Sequence, residues 1–427
     1  MSEAHHLHTA EQVLERLAGL PGGPELLAAA RARTDVALVG GAVRDLLLGH
    51  WPRELDVTVE RDSAGLAAEL AAGISPSERA YGHAVEQVLH ERFGTASVVW
   101  EYGRIDVAER RADVYPAPGA LPDVRPGTIE EDLARRDFTV NAIALPLARS
   151  SPASLQSFDG ALEDLAAGRL RVLHGQSFVE DPTRLLRLGR YAARLGFEIE
   201  PGTRALAAEA VAEGALRTVS GERLGNELWL AAAEADGRAS LRTLDSLGVL
   251  VALGMPSPFD DELAQGAENL LPRDGRREVL LMGVALSGLE AGPLEETMAG
   301  LAFTREHARA VSEVAGRAPG LAAQLLTAEP AAARVALAEH SLEAVVTAGV
   351  LAGREIGAIP EPVRAWIETG RHVRLEIDGH DLLAAGVPEG PEIRVRLDHA
   401  LARKRAGLAD GREQELRAAL DGDAVRP

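Results

Sequence analysis

Three carboxylates are the first residues in this sequence whose types and spacing can do chemistry. Glu54 and Asp56 flank Leu55 at the start of LDVTVE, residues 55–60, whose alternation predicts a strand. Alternate side chains on a strand share a face, so the two carboxylates point the same way with Cα atoms about 6–7 Å apart. Leu55 then turns to the core. Carboxylates at that separation can grip one or two divalent cations. Asp106 in RIDVAE repeats the pattern, with Ile105 and Val107 on the opposite face. If the two strands are neighbours, two metal ligands gain a third carboxylate able to take a hydroxyl proton. That set suits in-line phosphoryl or nucleotidyl transfer. Singly, each carboxylate reads more simply as part of a solvated polar face.

Arginines supply the complementary charge. VGGAVRD, residues 39–45, has two glycines at a strand-to-helix turn, where backbone and helix N–H groups can meet an anion. Arg44 follows Gly41 by three residues and can reach the same phosphate. The G-K-[ST] element of a P-loop and the third glycine of a dinucleotide fingerprint are missing. RRDFTVNAIAL, residues 135–145, offers Arg135 and Arg136 either to phosphates or to the nearby Glu130, Glu131 and Asp132. In EDPTRLLRLGRYAARLGF, residues 180–197, Arg184, Arg187 and Arg190 recur every third position. On a helix each such step rises about 4.5 Å and drifts about 60° around the axis, so the three can follow an extended polyanion or form a solvated face. Asp181 and Arg184 form an acceptor and a donor fork one turn apart, a pair able to read the Watson–Crick edge of a base.

The elements that must position these groups are legible as patterns. Residues 36–39 are apolar and end at Gly40-Gly41, which predicts a buried strand, a tight turn and a helix. Residues 62–73 predict a helix, and 85–89, 97–102 and 104–108 predict strands. Residues 115–127 carry four prolines and two glycines, which predicts a loop. After about residue 150 strand signals nearly vanish, apart from 169–173, and helical patterns rich in Ala, Leu, Arg and Glu run on to the end. The expected fold class is α+β, a mixed-sheet head followed by an all-helical remainder.

Composition bounds the function. The 427 residues allow two to four domains at about 100–200 residues each. At 46% hydrophobic and 26% charged, wholesale disorder is excluded. The 65 acidic residues outnumber the 45 basic ones, for a net charge of -20. Such a chain does not coat nucleic acid by bulk attraction. Lys404 is the single lysine, and there is no cysteine, so disulfides and thiolate chemistry are excluded. The polar start MSEAHHLHTAEQ lacks the apolar core of a signal peptide, and no stretch approaches the ~20 apolar residues of a membrane span. A soluble, cytoplasmic protein is expected, with no membrane partner.

The order of the motifs is more specific than any one of them. GGAVRD, carboxylates ten and twelve residues past Arg44, RRDFTVNA and EDPTRLLR…RLGF together resemble the class II tRNA nucleotidyltransferase and bacterial poly(A) polymerase family. The resemblance covers residues 36–235, including GERLGNEL at 221–228, and residues 375–417 look like the tail of CCA-adding enzymes. It implies a nucleotidyltransferase head at 1–150, a base-recognising helical neck at 151–240, a helical body at 241–360 and a tRNA-binding tail at 361–427. It also implies untemplated addition of C and A to the tRNA 3′ end from CTP and ATP, with Mg²⁺ as cofactor. By position, Glu54 and Asp56 take the metal-ligand places and Asp106 the third catalytic carboxylate. Gly41, Arg44, Arg136, Arg187 and Arg190 take nucleotide-binding places, and Asp181 and Arg184 the pair that selects the base. Residues 109–127 correspond to the family's mobile segment. One departure stands out: the metal pair is usually Asp-x-Asp, and here the first member is Glu54. CC-only or A-only addition, poly(A) synthesis, or a non-enzymatic RNA-binding relative with an impaired metal site are the alternatives. The oligomeric state stays open. Gly379-His380-Asp381 lies inside the tail motif and lacks a second His-Asp group, so it does not indicate a metal phosphohydrolase. His5, His6 and His8 read as a polar terminus in preference to a metal site.

Overall fold

The computed structural model describes residues 4–31, 33–74, 85–90, 94–148 and 153–421. The chain divides into two compact units, residues 1–220 and 221–427. The first carries all strands found among the described residues: β1 (Ala37–Val39), β2 (Leu55–Val59), β3 (Glu86–His90), β4 (Thr95–Trp100), β5 (Gly103–Glu109), β6 (Arg111–Val114), β7 (Asp123–Pro126), β8 (Ile143–Pro146), β9 (Gln156–Ser157), β10 (Arg169–Leu170) and β11 (Glu198–Ile199). Seven of them form one mixed sheet in the order β3-β4-β5-β2-β1-β8-β9. β2 and β5 are parallel neighbours, and β1 is antiparallel to both β2 and β8.

Alternation explains the sheet. Leu55, Val57, Ile105 and Val107 are buried, while Glu54, Asp56 and Asp106 lie between them along the chain and turn to the other face. The helix Ser63–Gly73, started by the Asp62 side chain accepting from the Gly65 N–H, packs Leu66, Ala67 and Leu70 against β4 and β5. The mixed-sheet head and helical remainder match the expected α+β class. One expectation fails: the predicted loop at 115–127 contains β7, which pairs antiparallel with β6 as a separate two-stranded ribbon. Pro126 is tolerated opposite Arg111 because a two-stranded ribbon has free outer edges, where a missing N–H costs no ladder bond.

The second unit has no strand among its described residues. Its helices bury Leu321, Leu337, Val345, Val363 and Trp366 in one core, and Ile377, Leu382, Ala400, Ala409 and Ala419 in another. The Gly379-His380-Asp381 motif starts a helix: Asp378 accepts from the His380 and Asp381 N–H groups, and Asp381 answers as a capping box. The lone lysine, Lys404, donates at 2.5 Å to Glu415, whose side chain is fully buried. Among the described residues no helix is long and apolar enough to cross a membrane.

Candidate active site

The pairing of β2 with β5 sets Asp56 directly opposite Asp106. Glu54 lies one alternate position before Asp56. One carboxylate oxygen from each of Glu54, Asp56 and Asp106 lies within 4.8 Å of the others. Burial, reinforced by the Glu54 charge and opposed by Arg136, pushes the Asp56 carboxyl up to about 6, with Asp106 adding to the rise and Arg44 lowering it. Three carboxylates gathered this closely, offering only oxygen donors, fit a hard divalent cation.

The Gly40-Gly41 turn stands beside this cluster. Gly40 adopts φ 65°, ψ -129°, and a Cβ there would collide with the Arg136 guanidinium. Only glycine combines that backbone with that neighbour. A Cβ on Gly41, at the start of the helix Gly41–Leu47, would come 3.7 Å from an Asp56 oxygen and 3.6 Å from an Arg44 nitrogen. The turn thus leaves open backbone between the carboxylates and two arginines. Arg136 is steered by Asp132 at 3.0 Å, and Asp132 also takes Arg135 at 2.7 Å. Burial raises the Asp132 carboxyl, but Arg136 and Arg135 outweigh it and hold it low. Arg44 is buried, bonded to Asp45 at 2.8 and 2.6 Å and to Asn141 at 2.5 Å.

The second group of arginines sits on the helix Thr183–Leu195. Asp181, just before it, accepts from the Thr183 N–H and hydroxyl at 3.1 and 2.6 Å. Arg184 is buried and donates to Ser177 Oγ at 2.7 Å and to the Arg135 carbonyl at 2.8 Å. Arg187 grips Asp137 at 2.6 and 2.9 Å. Burial pushes the Asp137 carboxyl up, yet Arg187, Asn141 and the Phe138 N–H overcome it and bring it down to about 2. Tyr191 is the shared platform: Arg44, Arg187 and Arg190 lie 5.5, 5.6 and 5.1 Å from its ring centre. The carboxylate cluster, Gly41, Arg44 and Arg136 are therefore gathered on the sheet. Asp181, Arg184, Arg187 and Arg190 form a second group, tied to the first through Arg135, Asp137 and Tyr191. The segment between β6 and β7 reaches that second group, with the Gly119 N–H donating to the Val179 and Glu180 carbonyls at 3.2 Å.

Comparison with known proteins adds to this geometry. Residues 36–171 match the Poly A polymerase head domain. The A-adding tRNA nucleotidyltransferase of Geobacter sulfurreducens is 30% identical over 407 residues, covering 90% of this chain and 45% of the relative. The CC-adding tRNA nucleotidyltransferase of Deinococcus radiodurans is 39% identical over 227 residues, covering 52% of this chain and 57% of the relative. The structure of the Thermotoga maritima CCA-adding enzyme complexed with tRNA is similar at TM-score 0.72 and 27% identity, covering 97% of this chain and 98% of that one. The chain belongs to the class II tRNA nucleotidyltransferase and bacterial poly(A) polymerase family. It spans about half the length of these two curated relatives. Family and carboxylate cluster together imply a divalent metal ion.

The sequence offered Asp132 as a partner for Arg135 and Arg136, and the structure makes both pairs; Asp137 and Tyr191, which orient the other arginines, were missed. Asp132 and Asp137 are the acidic anchors of Arg135, Arg136 and Arg187, and Tyr191 is the ring beneath three arginines. Asp137 lies inside the quoted RRDFTVNA motif, so its proximity was a usable signal. Arg104 was missed altogether. Its Nε lies 3.0 and 2.8 Å from the two Asp106 oxygens and 3.8 Å from Glu54. Its spacing of two from Asp106 on a predicted strand is the clue that puts both on one face.

Proposed function

We infer that the chain is a metal-dependent tRNA nucleotidyltransferase that adds C and A to the tRNA 3′ end from CTP and ATP, without a nucleic-acid template. The observation that carries this reading is the pairing of Asp56 with Asp106 beside Glu54, next to the open Gly40-Gly41 backbone and Arg136. In the reaction the tRNA 3′ hydroxyl attacks the α-phosphate and pyrophosphate leaves. Glu54 and Asp56 hold Mg²⁺, which when bound supplies positive charge to the reacting phosphate. Asp106 helps to activate the attacking hydroxyl. Gly41 lets the triphosphate approach the backbone, and Arg44, Arg136, Arg187 and Arg190 steady it. Asp181 and Arg184 select the base. Arg184 and Arg187 are already fixed by Ser177, the Arg135 carbonyl and Asp137, so little side-chain entropy remains to be lost when a nucleotide arrives.

The proposed division of labour is head 1–150, neck 151–240, body 241–360 and tRNA-binding tail 361–427, in a cytoplasmic enzyme. A second reading, A-only addition, is favoured by the name of the Geobacter relative, which covers 90% of this chain. Incorporation of labelled CTP and ATP into tRNAs ending before CCA, after C and after CC separates the two. Extension of all three supports CCA addition, and extension of only the last supports A-addition. No incorporation with either Mg²⁺ or Mn²⁺ overturns the enzyme reading and leaves an RNA-binding relative. Arg184→Ala is expected to relax the choice between CTP and ATP more than it weakens tRNA binding. Unchanged selectivity in that variant removes the base-reading role.

A further inference from the structure

We propose that Arg104 is a resident counter-cation of the carboxylate cluster, holding Asp106 in the metal-free protein and releasing it when a divalent cation enters. The inference rests on the reading of Glu54, Asp56 and Asp106 as a metal site.

Arg104 and Asp106 are two residues apart on β5, so their side chains share the face on which the cluster lies. The Arg104 Nε lies within hydrogen-bond distance of both Asp106 oxygens, at 3.0 and 2.8 Å, and 3.8 Å from a Glu54 oxygen. Its Nη2 lies 3.4 Å from the Ser97 hydroxyl, which itself donates to Asp106. Both Asp106 oxygens therefore already accept hydrogen, and a cation that takes Asp106 as ligand meets the positive charge of Arg104 at the same carboxylate. Arg104 can leave: its side chain is 49% exposed. Arg44 and Arg136, the other cations acting on Asp56, are held by Asp45 and Asn141 and by Asp132 respectively. Only the exposed arginine is built to exchange. Glu54 joins the arrangement through its extra methylene, which extends the carboxylate beyond the reach of an aspartate and toward Arg104. The residue that departs from the usual Asp-x-Asp pair is thus also a neighbour of the arginine that has to move.

The consequence is competition between a guanidinium and a metal for the same oxygens. The test titrates Mn²⁺ into the full-length protein without nucleotide, reading free Mn²⁺ by electron paramagnetic resonance. Wild type, Arg104→Gln, Arg104→Met and Asp56→Asn are compared. Removing the competitor is expected to tighten Mn²⁺ binding about two- to five-fold, the scale of an exposed ion pair, and the gain is expected to shrink at high salt. A merely structural role for Arg104 gives the opposite result, weaker binding. Equal or weaker Mn²⁺ affinity in both Arg104 variants, each with a cooperative melting transition, overturns the proposal. If instead Asp56→Asn binds Mn²⁺ as well as wild type does, the metal-site reading itself fails and the proposal falls with it.

Discussion

Asp56 works at a cost to the fold. Its carboxyl is raised to about 6 by burial and by Glu54, opposed by Arg136, so the ionised form opposes folding above that pH. The sign follows from proton counting. Between about 4 and 6 the folded protein holds a proton that the unfolded chain has released, so stability falls as pH rises through that window. Above it the full penalty applies, on the order of 2 kcal/mol for a shift of this size once solvent screening is allowed for. Asp56→Asn removes the charge and keeps the shape. In EDTA at pH 8 this variant is expected to melt above wild type while losing nucleotidyl transfer, and added Mn²⁺ is expected to raise the melting temperature of wild type alone. A variant that melts below wild type in EDTA contradicts the charge-repulsion account. This is the pattern of an active site, where groups are kept for chemistry at some expense of stability.

At the scale of elements, the helix Thr183–Leu195 is tied to the turn before β8 by the Arg187–Asp137 pair. The Asp137 carboxyl lies at about 2, below its ordinary 3.8, because Arg187, Asn141 and the Phe138 N–H outweigh its burial. A depressed carboxylate gives stability that is present above its unfolded pKa and lost as pH falls toward 2. The pair should therefore contribute roughly 2 kcal/mol at neutral pH and almost nothing at pH 2. Acid denaturation of Asp137→Asn is expected to be shallower than that of wild type between pH 4 and 2, with a lower stability at pH 7. Parallel curves would remove Asp137 as the anchor. In the second unit, Lys404→Met leaves Glu415 buried without its cation, an expected loss of about 2–3 kcal/mol. Lys404→Met with Glu415→Leu should recover much of it in chemical denaturation. These elements also show what was legible in the sequence. β2, β5 and the β1-turn-helix unit declare themselves by alternation and by Gly40-Gly41, because their patterns are local. The β6–β7 ribbon did not, since its prolines and glycines resemble a loop and only the pairing partner reveals the strand. Arg104 escaped notice for a related reason: its role depends on Glu54 and Ser97, brought to it by sheet register. Asp137 and Arg187, fifty residues apart, likewise meet only once the chain has folded.

Over the whole molecule, a net charge of -20 has to be reconciled with the proposed polyanionic partner, tRNA. At long range such a chain repels RNA, so binding must come from a few local contacts. The arginines at the candidate site are mostly matched to nearby acids: Arg44 to Asp45, Arg136 to Asp132 and Arg187 to Asp137. Each pair fixes a guanidinium while cancelling its far field, which favours shape-dependent recognition over general adhesion. The helix Pro391–Arg405 adds Arg403, Lys404 and Arg405 in its last turn, and Arg394 near its start is 90% exposed. If the tail binds tRNA as proposed, Arg394 and Arg403 are the contacts to test, because Lys404 is committed to Glu415. With roughly two to four phosphates neutralised, tRNA affinity should fall about ten- to a hundred-fold between 50 and 200 mM salt. A protein that coats RNA with six or more contacts would lose far more. The measurement is a dissociation constant for tRNA lacking its CCA end across that salt range, with poly(A) of equal length as competitor. Weak competition by poly(A) at every salt concentration fits recognition by tRNA shape. Equal competition, or a salt response steeper than about a thousandfold, would mean that the acidic chain presents a long basic track after all. A complex indifferent to salt would mean that phosphates play no part in binding.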